Sequence, residues 1–176
     1  MSQLDPIDIS LQLAATGAPI TLRELGGGQP MLVVLMRHLD CPFCEVHVGR
    51  IMHARDHLGR VVLVGNATPA ELAEQHVDLP PEFVLVADAD QSLYRAYRTH
   101  RLRSSLSLRI SPRAIPTFLR HFLGGGKLQR AGQDLLQLGG DVVIDASGAT
   151  TWLRNSTRPD DRPNTAKLAE HLHLAA

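Results

Sequence analysis

The chain lacks most of the features by which composition assigns a protein to a class. Its 18 Lys and Arg offset 18 Asp and Glu, so total charge says nothing about partners. No charged segment followed by an apolar one opens the sequence, and no stretch approaches the roughly 20 apolar residues of a spanning helix. A cytoplasmic protein without a transmembrane segment is expected. Aromatic residues are only 4% of the chain and are not interleaved with its arginines in a stacking pattern, so nucleic-acid binding is not expected. There are just two cysteines, Cys41 and Cys44. A bridge between them would close too short a loop to stabilise a fold, and a lone C-x-x-C suits a reducing compartment, where thiols are kept for chemistry or metal.

What is present is an ordinary globular composition, with 44% hydrophobic and 20% charged residues over 176 positions. That length fits one domain, taken here as 1–176. Met31 to Met36 are six consecutive apolar residues rich in Val and Leu, the pattern of a strand buried on both faces. Behind them, Asp40 as an N-cap, Pro42 at an early helical position and Val46, Val48, Ile51 and Met52 predict a helix running to about Leu58. Cys41 then sits at a helix N-terminus, where unpaired N–H groups and the helix dipole favour a thiolate. Cys44, three residues on, shares its helix face and can close a disulfide. The pair therefore reads as a redox dithiol, with Cys41 attacking and Cys44 resolving.

The elements around it follow in order. Ile7, Ile9, Leu11 and Leu13 alternate as an edge strand does, and Gly26 to Pro30 is a loop. Val61–Gly65 and Phe83–Ala87 are further buried strands, separated by a capping-box helix start at Thr68. Asp88 to Ser92 opens a short helix carrying Leu93, Tyr94 and Tyr97. Val142–Asp145 and Thr150–Arg154 predict a hairpin turning at Ala146-Ser147-Gly148, and Thr165 to Leu174 a closing helix. Strand and helix alternate, which argues for a parallel α/β sheet. Between Gln91 and Gln133 stand nine Lys or Arg and no Asp or Glu. Within that basic interval Ile115, Phe118, Leu119, Phe122 and Leu123 keep helical spacing. This helical insert, around 99–134, is expected to be a lid over the dithiol, a surface for a second copy or partner, or a membrane-surface helix.

A strand delivering C-P-x-C to a helix start, with a hairpin and a final helix, resembles the thioredoxin fold: a central mixed sheet flanked by helices. More closely, the chain resembles the C-x-x-C peroxiredoxin-like proteins of the alkyl hydroperoxide reductase and thiol-specific antioxidant superfamily, which includes the prostamide/prostaglandin F synthases. Arg37-His38, Cys41-Pro-Phe-Cys44, Val64-Gly-Asn66, Asp88 with Leu93-Tyr94, Leu135 to Gly140 and Val142 to Asp145 carry the likeness over residues 30–155. It implies an antioxidant thiol oxidoreductase that reduces a disulfide or an organic peroxide without a bound cofactor and is regenerated by an external dithiol. Two departures stand out. The family's peroxidatic cysteine is preceded at three residues by Thr, and this chain has His38. Thioredoxins place a cis-proline before the strand facing the dithiol, and this chain has Gly139-Gly140.

Candidate site residues are therefore Cys41, Cys44, His38 and Arg37 for chemistry, and Pro42, Phe43, Gly139 and Gly140 for substrate. His38 would stabilise the thiolate or donate a proton to a leaving group, while Arg37 either faces the sulfur or is a surface charge. His47, His53 and His57 are placed on a solvated helix face. Asp88, Asp90 and Asp145 are read as caps of turns and helix starts, and Trp152 as a cover on the sheet edge or core. Two other functions stay open. One is reduction of an organic endoperoxide or lipid hydroperoxide. The other is a non-enzymatic redox-sensing or zinc-binding module, with His38, Cys41, Cys44 and His47 recurring every three residues, although that spacing drifts around a helix and strains tetrahedral closure.

Overall fold

The computed structural model describes residues 5–37, 41–74, 79–103, 115, 116, 119, 123, 134 and 136–176. His38 and Asp40, and most of the insert including Phe118 and Phe122, lie outside the described residues. One seven-stranded sheet runs through the chain in the order β2-β1-β5-β4-β3-β6-β7. Its strands are β1 Leu11–Leu13, β2 Pro19–Ile20, β3 Met31–Leu35, β4 Arg60–Gly65, β5 Phe83–Ala87, β6 Gly140–Ile144 and β7 Thr150–Asn155. The central β5, β4 and β3 are parallel, and the flanking strands are antiparallel to their neighbours. This is the mixed sheet expected of a thioredoxin-like fold.

The helices are α1 Leu22–Gly26, α2 Pro42–His53, α3 Pro69–Ala73, α4 Ser92–Ala96 and α5 Thr165–Leu174. Because successive strand residues face opposite sides, β3 divides its side chains between two cores. Leu32, Val34 and Met36 join Cys41, Phe43, Cys44, Val48 and Ile51 of the α2 region and Leu168 and Leu172 of α5 on one face. Met31, Val33 and Leu35 join Ile7, Leu22, Leu25, Leu93 and Tyr94 on the other. Every residue of β3 and nearly all of β4 is buried, which explains why those strands read as unbroken apolar runs.

Most element boundaries match the sequence pattern, and the differences have local causes. Helix α2 gives way at His53 to a short 3-10 turn over Arg55–His57 instead of continuing to Leu58. The N-terminal alternation is kept in burial, but strand pairing begins only at Leu11, after a 3-10 turn at Pro6–Asp8. β1 is not the edge, since β2 pairs on its outer side. The capping box of Thr21 and Glu24 starts α1 inside what reads as a loop. Asp145 accepts the N–H groups of Ser147 and Ala149 at 2.9 Å each and fixes the β6–β7 turn, while Asn164 caps α5 through the Lys167 N–H.

The insert leaves the sheet through a neck. Arg101 and Gln137 form a bridge, the N–H groups of Leu102 and Leu138 donate across it, and Arg101 pairs with Asp134 at 2.9 Å. Of its apolar stripe, Ile115, Leu119 and Leu123 are helical and exposed.

Candidate active site

Strand β3 ends against the start of α2, and the dithiol lies at that junction. Cys41 is the N-cap residue of α2, with Pro42 at the first helical position. The expected cap, Asp40, is thus one residue too early. Cys44 follows in the first turn, and its side chain hydrogen-bonds the Cys41 sulfur. Both cysteines are in the dithiol form and buried. Pro42 and Phe43, expected to meet substrate, are buried with them, Phe43 inside the apolar cluster of the α2 face.

Arg37 is not a surface charge. It is buried, and its guanidinium donates to the Cys41 sulfur at 3.3 Å. Tyr94 of α4 braces the same chain segment from the other face. Its hydroxyl lies 2.6 Å from the carbonyl of Met36 and 2.8 Å from that of Val64. Asp88 caps α4, accepting from the N–H groups of Ser92 and Leu93 at 2.9 Å, the structural role expected of it. Asp90 also accepts from Ser92, at 3.2 Å.

The helix N-terminus does not lower the Cys41 thiol. The hydrogen bond with Cys44, burial, and negative charge on Cys44 push the Cys41 thiol well above its ordinary range, while Arg37 and the Cys44 backbone N–H pull the other way. Desolvation disfavours the charged form, and two adjacent sulfurs cannot both ionise cheaply. Their protons come off as those of a pair.

Beneath the pair is a group of residues that the sequence pattern did not reveal. His47, expected on a solvated face, is buried, and its Nε2 lies 2.8 Å from Asp141 Oδ1. The other carboxylate oxygen accepts from Arg162 at 3.0 Å, and Arg162 also donates to the Leu35 carbonyl at 2.7 Å. Burial acts to lower the Arg162 guanidinium, but its carboxylate partner Asp141, with Cys44, more than offsets it and raises Arg162 above its ordinary range. Burial acts to raise the Asp141 carboxyl, but Arg162 and His47 more than offset it and hold Asp141 below the usual carboxylate range. Asp141 is therefore ionised and can only accept, so His47 carries its proton on Nε2. Its Nδ1 is buried without a hydrogen-bond partner among the described residues. His53 and His57, in contrast, are exposed as expected.

Gly139 and Gly140 do not offer open backbone to a substrate. Both are buried. A Cβ at Gly139 would stand 2.0 Å from the Leu35 carbonyl oxygen and 2.3 Å from the Arg162 guanidinium, and one at Gly140 would stand 2.8 Å from the Asn155 side chain. The missing side chain at Gly139 makes room for Arg162. Trp152 is half-buried against the α2-face core and stacks on His171 of α5, ring centres 4.6 Å apart. A cavity of about 160 Å³ lined by Ile7, Met31 and Ser147 opens at the far end of β3 from the cysteines.

No family model matches this sequence, and no curated protein is significantly similar to it. Solved structures do share its fold. Bacterioferritin comigratory protein of Xanthomonas campestris, studied for alkyl peroxide reduction, matches with a TM-score of 0.58 and 15% identity over 97% of this chain and 92% of that one. A secreted disulfide oxidoreductase of Mycobacterium tuberculosis gives 0.56 and 15% over 96% and 97%. A thiol peroxidase of Chromobacterium violaceum gives 0.59 and 12% over 94% and 82%. The chain has the thioredoxin-like fold that these peroxiredoxins and disulfide oxidoreductases share.

Proposed function

We propose that this protein is a thiol-dependent oxidoreductase of the peroxiredoxin-like kind, cycling Cys41 and Cys44 between dithiol and disulfide. The observation that carries the reading is the placement of two hydrogen-bonded thiols at the strand-to-helix junction with a buried guanidinium 3.3 Å from one of them. A structural pair of buried cysteines has no use for a buried cation, whereas a thiolate does. One sulfur, as thiolate, attacks a substrate disulfide and expels a thiolate, or attacks a peroxide oxygen and expels an alkoxide as a sulfenic acid forms. The second sulfur then displaces the bound partner or water and leaves the intramolecular disulfide. An external dithiol, of a thioredoxin-like protein or a small thiol, returns it to the starting state. Such a cycle suits the cytoplasm, where dithiols are kept reduced.

The likeness in fold to both peroxide and disulfide reductases supports the class of chemistry. The substrate is decided by rates. Reduced protein is mixed with hydrogen peroxide, a lipid hydroperoxide and a protein disulfide, and intact mass is followed for loss of two hydrogens. Fast loss with at least one oxidant, abolished in Cys41→Ser and in Cys44→Ser, is the expected result. Inertness toward all three oxidants overturns the reading.

A further inference from the structure

The segment that carries Arg37 to Cys41 leaves the sheet where its ladder stops. Pairing of β3 with both β4 and β6 ends at Leu35, and past it the Met36 N–H still donates to the Val64 carbonyl at 2.9 Å. From there two side chains take over. Arg162 donates to the Leu35 carbonyl at 2.7 Å, and the Tyr94 hydroxyl lies 2.6 Å from the Met36 carbonyl. We propose that Tyr94 and Arg162 are positioning residues of the reaction, a clamp on two successive carbonyls that holds the Arg37 guanidinium on the Cys41 sulfur. This deepens the dithiol reading and rests on it for what the sulfur attacks.

The two arms reach the segment from opposite faces of the sheet. Tyr94 belongs to the core that holds Val33, Leu35 and Val142, whereas Asp141, the partner of Arg162, alternates with Val142 and shares the α2 face with Val143. Each arm is fixed in turn. Asp88 caps α4 and so sets Tyr94; Asp141, shared with His47, holds Arg162 at 3.0 Å. The Tyr94 hydroxyl has one proton for two carbonyls. Val64 already accepts from the Met36 N–H, which leaves that proton to the closer Met36 carbonyl. Burial raises Tyr94 well above its ordinary range, so the donor persists at alkaline pH. On the other side Gly139 lets the bond form. A Cβ there would stand 2.0 Å from the Leu35 oxygen and 2.3 Å from the Arg162 nitrogen, in the path between donor and acceptor.

Arg37 meets Cys41 through one nitrogen at 3.3 Å, and such a bond weakens with small changes in distance and angle. A guanidinium on a long flexible chain keeps that aim only if its backbone is held. Around the sulfur, the hydrogen bond with Cys44 and burial oppose the thiolate, while Arg37 favours it. Tyr94 and Asp88 stand behind the segment on one face, and His47, Asp141 and Arg162 on the other. The balance at Cys41 therefore follows how well Arg37 is aimed.

The test follows the Cys41 thiol against pH by NMR of isotope-labelled cysteine in the Cys44→Ser protein, which keeps a single cysteine. Tyr94→Phe removes a hydrogen bond but no charge. It should cut the ratio of thiolate to thiol at a fixed pH by at least about threefold, an upward shift of roughly half a pH unit in the midpoint. Gly139→Ala, which obstructs the Arg162 bond and likewise removes no charge, should shift the midpoint the same way. Arg37→Met should shift it further, and adding Tyr94→Phe to Arg37→Met should change nothing more. A folded Tyr94→Phe or Gly139→Ala protein with the midpoint of its parent overturns the proposal. So does a Tyr94→Phe shift of equal size with and without Arg37, the mark of a structural role alone. A Cys41 that stays protonated up to unfolding with the clamp intact also overturns it. The measurement needs no redox turnover: a protein inert to every oxidant loses the dithiol function, and the midpoints still decide whether the clamp sets Arg37.

Discussion

Replacing Asp141 with Asn should show how much of the fold hangs on the polar group under the cysteines. The change is nearly isosteric, so no cavity enters, and what is lost is charge. Both carboxylate oxygens are engaged, at 2.8 Å with His47 and 3.0 Å with Arg162, and neither oxygen reaches solvent. An Asn can accept one of these bonds but presents an NH₂ to the other donor. It leaves a buried guanidinium without its carboxylate. Breaking one partner of a buried pair costs about 3–5 kcal/mol, and at about 2–4 °C per kcal/mol for a chain of this size the melting temperature should fall by roughly 6–20 °C. The pH dependence carries the sign. The folded-state pKa of Asp141 is depressed, so its contribution is present above the unfolded value of about 3.9 and disappears as pH falls through the lower folded value. Urea denaturation of wild type and Asp141→Asn under reducing conditions, from neutral pH to about pH 3, should therefore give curves that converge only at the acid end. A gap below about 1 kcal/mol at neutral pH, or one that is independent of pH, would refute the account.

Four further outcomes test separate parts of the structure. Gly139→Ala forces a Cβ to 2.0 Å from the Leu35 carbonyl and 2.3 Å from Arg162, and should lose about 3 kcal/mol in denaturant melts. Gly49→Ala, where a Cβ meets nothing within 4 Å on α2, should gain about 0.5–1 kcal/mol by the same assay. Tyr94→Phe removes the donor to the Met36 and Val64 carbonyls; a loss of about 1–3 kcal/mol is expected, and an unchanged melting curve would show that the hydroxyl does not brace the segment leading to Arg37. Leu119→Glu, at a position 54% exposed, should change stability by less than about 0.5 kcal/mol. A large loss there would mean that the insert helix packs as a lid after all.

The fold was largely legible because its strands bury both faces. Met31 to Met36, Val61 to Gly65 and Phe83 to Ala87 have to be internal strands, and internal parallel strands dictate crossover helices. Less legible was what rests on local hydrogen bonding against weak apolar pattern. The Thr21–Glu24 capping box makes a five-residue helix out of a stretch with too few apolar positions to show a period. The end of α2 at His53, with the chain continuing in a tighter turn, likewise left no mark in composition.

The site shows where one-dimensional reasoning stops. Cys41, Cys44 and Arg37 lie within eight residues, and their proximity could be read directly. His47, Asp141 and Arg162 are up to 115 positions apart, and only the antiparallel pairing of β6 with β3 brings Asp141 level with Val34. Each alone looks like a surface residue. The expectation for Cys41 failed for a related reason. A helix N-terminus contributes about 0.3–1 kcal/mol at an exposed site, under one pKa unit at 1.36 kcal/mol each. Full burial can shift a group by several units the other way. In a site as closed as this one, the hydrogen bond between the sulfurs and burial outweigh the dipole of α2 and hold the Cys41 thiol up.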